Sequence, residues 1–193
     1  LTKGGNDVEY STVFKACAFA APFSDCLDSD FYLTRGNGRL DPQPLRDYEP
    51  RIIDLAASKL RATYLRILQL APNARVVVLG YPRFFPAAEN RIAECRYGNT
   101  STRDLDWFNQ MADRLNGNIA GVVNDLQRAG NNIRYVDANQ LFESHRFCEL
   151  RGGGEYLHNI DPTDIIVGQQ NGWFHPNIAG LDAYAAMVQT GMG

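Results

Sequence analysis

The chain lacks most of the signatures that assign a protein quickly. No apolar run approaches the ~20 residues that a membrane-spanning helix requires. No block of basic residues is present, and a formal net charge of −3 argues against a nucleic-acid surface. Neither G-x-G-x-x-G nor a P-loop appears, which leaves a flavodoxin-like nucleotide binder as a weak reading. The four cysteines, Cys17, Cys26, Cys95 and Cys148, form no C-x-x-C pair of the metal-binding kind, so no metal or other cofactor is expected. Asp25, Asp28 and Asp30 do not match the EF-hand spacing and read as a solvated acidic loop. Six serines are present, at 11, 24, 29, 58, 101 and 144. None sits in a Gly-Asp-Ser or Gly-x-Ser-x-Gly context, so the strand-to-helix elbow that activates a serine nucleophile is missing. No signal peptide is visible and residue 1 is Leu; the expectation is a processed, cleaved or truncated polypeptide.

What is present fits one globular domain over residues 1–193. A length of 193 residues with 45% apolar content can bury a core. Helical spacing of Ile52, Leu55, Ala56, Leu60, Tyr64 and Leu68 predicts a long helix from Leu45 to Leu70, ended by Pro72 and Asn73. A second long helix is predicted from Asp104 to Ala129, on a stripe of Leu105, Phe108, Met111, Leu115, Ile119, Val122 and Leu126, with Gly130 as its cap. Shorter helices are predicted over 8–20 and 178–189. Arg75-Val76-Val77-Val78-Leu79-Gly80 and Ile133-Arg134-Tyr135-Val136-Asp137 read as strands, the first as a run buried on both faces. Leu1 and Thr2 read as the tail of another. Residues 22–44 and 149–172 read as loops. Strands alternating with long helices argue a three-layer α/β/α fold with a parallel sheet. Ligands of such sheets sit beyond the carboxyl ends of the strands.

That edge should gather the residues that carry chemistry. Gly4-Gly5-Asn6-Asp7 places a side-chain amide at a tight turn that the glycines permit. Asn6 there reads either as an oxyanion donor or as an Asn satisfying its own turn, and Asp7 as support for the turn. His175 lies before Pro176 and a helix; neutral imidazole can take a proton from a hydroxyl. An amide donor and an imidazole are two-thirds of the equipment for serine acyl transfer. Tyr81, Phe84, Phe85, Trp173 and Phe174 fall in the two loops expected to face the site, where they would line a substrate pocket or simply fill core. His145 reads as structural and His158 as solvated.

Four cysteines allow three pairings. Because Cys17 and Cys26 close a short loop, Cys17–Cys26 with Cys95–Cys148 is the economical choice. Disulfides imply an oxidising, extracellular compartment. Asn99-Thr100-Ser101 is a glycosylation sequon at Asn99, which agrees with secretion.

Gly4-Gly5-Asn6-Asp7 resembles the Gly-x-Asn-Asp block of the SGNH (GDSL) hydrolases, and Phe174-His175-Pro176-Asn177 resembles the block that carries their catalytic His. Phe142-Glu143-Ser144-His145-Arg146-Phe147-Cys148 is similar to a segment of secreted actinobacterial and fungal members. The resemblance covers this chain but only the later part of the family's domain. It implies a flavodoxin-like sheet whose first strand and helix, with the Gly-Asp-Ser block, are missing here. It implies an ester hydrolase in which His175 is the base and Asn6 an oxyanion donor. The nucleophile would come from a missing or separate N-terminal segment, and the substrate would be a lipid, a small ester or an acylated sugar. The same cysteine pairing is implied. The family's usual acid three residues before the His is Gly172 here. A main-chain carbonyl at Gly172 or a near neighbour is expected to orient the imidazole, with Asp161 or Asp164 as the alternative. The competing reading is an inactive module that binds a carbohydrate or lipid. A sheet without its first strand and helix exposes an edge and an apolar face, so the isolated chain is expected to be unstable and inactive.

Overall fold

The computed structural model describes residues 1–20, 25–28, 30–31, 34–35, 38–39, 43–93, 95, 98–149, 154–158 and 174–191. A 3₁₀ turn, Gly5–Val8, leads into α1 (Tyr10–Ala18). Four two-residue strands follow, β1 (Asp30–Phe31), β2 (Thr34–Arg35), β3 (Gly38–Arg39) and β4 (Gln43–Pro44), paired antiparallel as β1 with β4 and β2 with β3. The rest is α2 (Leu45–Leu70), β5 (Val76–Leu79), α3 (Thr102–Arg128), β6 (Ile133–Val136) and α4 (Ile178–Gly191).

Strands β5 and β6 pair parallel, from Val76 with Ile133 to Leu79 with Val136. Leu1 extends this ladder on the other side of β5. Its nitrogen donates to Val77 O and its carbonyl accepts from Leu79 N, both at 2.9 Å; this is parallel-ladder geometry around Val78. All four residues of β5 are buried, as a strand covered on both faces requires. Helix α3 packs on β6 and against α2, while α4 contacts both strands. The result is the three-layer α/β/α arrangement.

The predicted elements and the observed ones differ in instructive places. Helix α3 starts two residues before Asp104 because Asp104 belongs to a capping box. Ser101 Oγ accepts from Asp104 N at 3.2 Å, and Asp104 Oδ2 accepts from Ser101 N at 2.7 Å. Gly130, just past the helix, takes φ +87° and donates its N–H to Gln127 O. The helix predicted from residue 8 starts at Tyr10, because Glu9 adopts a left-handed φ of 53° and separates the 3₁₀ turn from α1. Leu55, placed on the apolar stripe of α2, is 60% exposed; it sits at the edge of a stripe whose centre, Ile53, Ala56, Leu60 and Tyr64, is buried. The loop predicted over 149–172 lies largely outside the described residues.

One cluster of buried apolar side chains joins every layer. Its aromatic centre is Phe14, Phe85, Phe108 and Phe147, each 0% exposed. Each such side chain contributes about 1.5–3 kcal/mol on burial. The cysteines pair as Cys17–Cys26 and Cys95–Cys148, with Cα separations of 5.0 and 5.5 Å. The first ties the end of α1 to the turn before β1. The second ties the loop before α3 to the loop after β6.

Candidate active site

The Leu1 segment, β5 and β6 run parallel, so the turns after them meet at one edge of the sheet. The first turn carries Asn6. Gly4, buried and at φ +128°, reverses the chain, and its carbonyl accepts from Asp7 N at 2.9 Å and Val8 N at 3.2 Å. An L side chain rarely adopts that φ, which is the physical demand behind a glycine here. Lys3 and Asp7 pair at 3.0 Å across the outside of the turn. Asn6 itself is exposed.

The second turn, residues 81–85, is suspended from α3 by two side-chain amides. Asn116 accepts from Tyr81 N at 2.8 Å and donates to Tyr81 O at 2.7 Å. Asn109 does the same for Phe85, at 3.2 and 2.7 Å. Each amide mimics a neighbouring strand and satisfies both backbone groups of the residue it holds. Arg83 N donates to Asn139 Oδ1 at 2.8 Å, and its guanidinium forks onto Asp113 at 2.9 and 3.0 Å. The Tyr81 hydroxyl accepts from Gly5 N at 2.9 Å, joining the second turn to the first. Burial pushes the Tyr81 phenol above its ordinary range, so the group is neutral at any physiological pH.

The third segment bears His175. Phe174, just before it, adopts a left-handed φ of 63°, a conformation that costs a non-glycine residue about 1–2 kcal/mol. Its ring is held 4.8 Å from Phe14 and 4.9 Å from Phe84, edge to face. Such contacts each contribute about 0.5–1.5 kcal/mol beyond area burial, enough together to hold the strained backbone. After it, Leu157 and Pro176 form an antiparallel bridge. His158 N donates to His175 O at 2.9 Å and Asn177 N to Tyr156 O at 3.0 Å. Asn177 Oδ1 caps α4 by accepting from Gly180 N at 3.0 Å, and its Nδ2 donates to Glu155 O at 2.6 Å. The His175 ring is exposed, but its backbone is fixed from both sides.

The three segments enclose two adjoining clefts. One, of about 390 Å³, is lined by Gly5, Asn6, Tyr81 and His175 over an apolar floor of Tyr10, Phe84, Ala112, Leu115 and Phe174, with Ser11 and Lys15 also on its wall. The other, of about 510 Å³, shares Gly5, Asn6, Tyr81, Phe174 and His175 and continues past Leu1, Leu79, Leu157, Leu181 and Tyr184. Asn6 and His175, 169 positions apart in the sequence, thus face the same space.

Phe85 does not. It is fully buried, stacked 6.2 Å from Phe14 and tilted 6.0 Å from Phe147. Phe84, next to it in this turn, lines the cleft, while Phe85 packs into the core. Trp173, Gly172, Asp161 and Asp164 lie outside the described residues. His145 is structural: its Nδ1 lies 2.7 Å from Gly154 O and its ring stacks on Tyr156 at 3.7 Å. His158 is exposed. The sequence reading missed Tyr10, Ser11, Lys15 and Leu115 in the cleft and the clamps Asn109 and Asn116. Two asparagines seven residues apart, buried on an otherwise apolar helix face, were the available signal for the clamps. Among the described residues no group of His, Cys, Asp and Glu is placed to hold a metal ion, and no helix is long and apolar enough to cross a membrane.

A parallel sheet covered on both faces, with clefts at its carboxyl edge, defines a three-layer α/β/α architecture of the flavodoxin-like kind. No family model matches the chain. Among sequence relatives, it is 26% identical over 180 residues to Lipase 1 of Streptomyces coelicolor, covering 93% of this chain and 54% of the relative. It is 28% identical over 160 residues to a lipase of Streptomyces rimosus, covering 83% and 49%. The chain therefore spans about half the length of those two proteins. In structure it is similar to the phospholipase A1 of Streptomyces albidoflavus, with a TM-score of 0.74 at 25% identity over 99% of this chain and 67% of the other. The extracellular lipase of Streptomyces rimosus gives 0.72 at 24%, over 98% and 67%. In sequence and in fold the chain is thus similar to Streptomyces lipases and a phospholipase A1.

Proposed function

We propose that these residues, as a single domain, carry the proton shuttle and an oxyanion donor of a secreted carboxylic-ester hydrolase of lipase or esterase type. The observation that carries this is the convergence of Asn6 and His175 on one cleft. In the reaction a serine attacks the ester carbonyl, and His175 takes the hydroxyl proton and returns it to the leaving alcohol. Asn6 donates its amide to the oxyanion; water then releases the acyl group by the same route. The serine comes from a segment outside this sequence. Of the serines within it, Ser11 lines the cleft but belongs to the first turn of α1 and has no nucleophile elbow around it.

The apolar floor favours a lipid ester, its acyl group against Tyr10, Phe84, Leu115 and Phe174, in keeping with the lipase and phospholipase names of the relatives. Secretion is supported by the two disulfides and by the extracellular Streptomyces rimosus lipase. Asn99 is exposed and would carry the glycan. Its Nδ2 donates to Ala20 O at 2.6 Å, so an attached sugar has to preserve or replace that bond. The test is fluorophosphonate labelling of the full-length protein, with and without His175→Ala. Labelling lost in the variant is expected. A full-length protein that binds lipid but neither labels nor turns over any ester supports the inactive binding module instead.

A further inference from the structure

We infer that Tyr81 is a positioning residue for Asn6, holding the oxyanion turn through its hydroxyl; this rests on the ester-hydrolase reading above. The 3₁₀ turn Gly5–Val8 leaves its first N–H groups without partners inside the turn. That of Gly5, the residue before Asn6, goes to the Tyr81 hydroxyl at 2.9 Å, 76 positions away. This N–H lies in the Gly4–Gly5 peptide plane, so the bond fixes the peptide unit that enters Gly5, one link before the Gly5–Asn6 peptide.

The phenol is a fixed acceptor because its backbone cannot move. Every main-chain polar group of Gly80 and Tyr81 is engaged. Gly80 N donates to Val136 O at 2.9 Å, and Gly80 O accepts from Tyr184 Oη at 3.2 Å. Tyr81 N and O are gripped by Asn116. The sheet, α3 and α4 thus all fix one aromatic side chain, whose far end touches the turn bearing Asn6. A Cβ on Gly5 would lie 3.1 Å from the Tyr81 hydroxyl and ring, so the fit is close. Burial keeps the phenol protonated. Having accepted from Gly5, it retains its own O–H to donate towards the cleft that it lines. Preorganised donors stabilise a transition state because they need not reorganise as charge develops; here the preorganisation comes from elements remote from Asn6 in sequence.

The experiment is a mutant cycle in the full-length protein with a p-nitrophenyl ester: Tyr81→Phe, Asn6→Ala and the double variant. Losing one neutral hydrogen bond should lower kcat about five- to tenfold with little change in KM, while Asn6→Ala lowers kcat by about 10²–10³. If Tyr81 acts through Asn6, the double variant is no worse than Asn6→Ala alone. An unchanged kcat in Tyr81→Phe, or losses that multiply in full, overturns the inference. A merely structural role for the hydroxyl would lower the unfolding midpoint and multiply with Asn6→Ala. Should Tyr81→Phe fail to fold, Asn116→Ala, which frees the Tyr81 backbone but keeps the phenol, is put through the same cycle under the same criteria. If the wild type hydrolyses no ester, the hydrolase reading fails by itself. The positional claim is then read by NMR: a shift of the Asn6 side-chain amide in Tyr81→Phe supports it, and an unmoved resonance refutes it.

Discussion

Gly180→Ala offers a sharp test of how the His175 segment is held. Gly180 lies in the first turn of α4 and is buried. A Cβ there would sit 2.1 Å from Tyr156 O, 3.1 Å from Tyr156 C and 3.0 Å from Pro176 Cβ. The first two are backbone atoms of the strap that accepts Asn177 N, so the clash cannot be relieved by rotating a side chain. Alanine gains at most about 1 kcal/mol of helix propensity. Overpacking against a fixed neighbour costs about 1–3 kcal/mol. The expected net is a loss of up to about 2 kcal/mol. Gly121 supplies the control: it lies exposed in α3 with nothing within 4 Å of a Cβ, so Gly121→Ala should gain about 0.5–1 kcal/mol. Urea titration of both variants gives the difference between the same substitution with and without a clash. For turnover, relief of the clash pushes the Tyr156–Asn177 strap apart and moves His175. A displacement of about 1 Å costs roughly 10²-fold in kcat. A Gly180→Ala variant that is as stable as Gly121→Ala and fully active refutes the argument.

Four further outcomes can be measured. His175→Ala should abolish fluorophosphonate labelling and lower turnover by at least as much as Asn6→Ala, which costs about 10²–10³; a smaller loss removes His175 from the reaction. Ser11→Ala should change kcat by less than about tenfold, because a lost wall contact is worth about one hydrogen bond; a collapse of labelling would place the nucleophile on α1. Asp54 joins α2 to α3 through a fork from Arg114 at 2.8 and 2.6 Å, and Arg114 holds its carboxyl below the ordinary range. A depressed folded-state value means stability present above about pH 4 and lost as pH falls further. Asp54→Asn should therefore cost about 0.5–1 kcal/mol at pH 7 and low salt, discounted for exposure, and progressively less as pH falls below about 4; a cost that does not shrink in acid contradicts the assignment. Finally, the sequence separations of the disulfides are 53 for Cys95–Cys148 and 9 for Cys17–Cys26. On chain entropy, replacing the first pair by serines costs about 4 kcal/mol and the second about 2.6, and a reversed order of unfolding midpoints sinks that account.

The helices, strands and site were not equally legible in the sequence. Leu45–Leu70 was readable to the residue because its apolar spacing is broken abruptly by Pro44 and Pro72. The run Val76–Leu79 could be read as a strand because a segment buried on both faces needs no alternation. Asn6 and His175 stood out because two glycines permit a tight turn before the one and a proline fixes φ after the other. The cleft's walls were less visible. Tyr10, Lys15 and Leu115 line it through helix faces whose rotation depends on tertiary packing, and Phe84 and Phe85 are neighbours in one turn that points one ring to the cleft and the other to the core. The clamps Asn109 and Asn116 replace a strand partner with side chains, and local sequence does not announce that substitution.

The left-handed backbone at Phe174 ties the imidazole next to it to the rings of Phe14 and Phe84. Aromatic contacts help to hold that residue out of its preferred conformation. On warming, loosening of those rings lets Phe174 relax and swings His175 out of line while the Val76–Val136 ladder is still intact. Turnover then fails at a lower temperature than the far-ultraviolet signal of the helices, and substitutions that tighten the Phe14 neighbourhood extend the working range without altering a single group in the cleft.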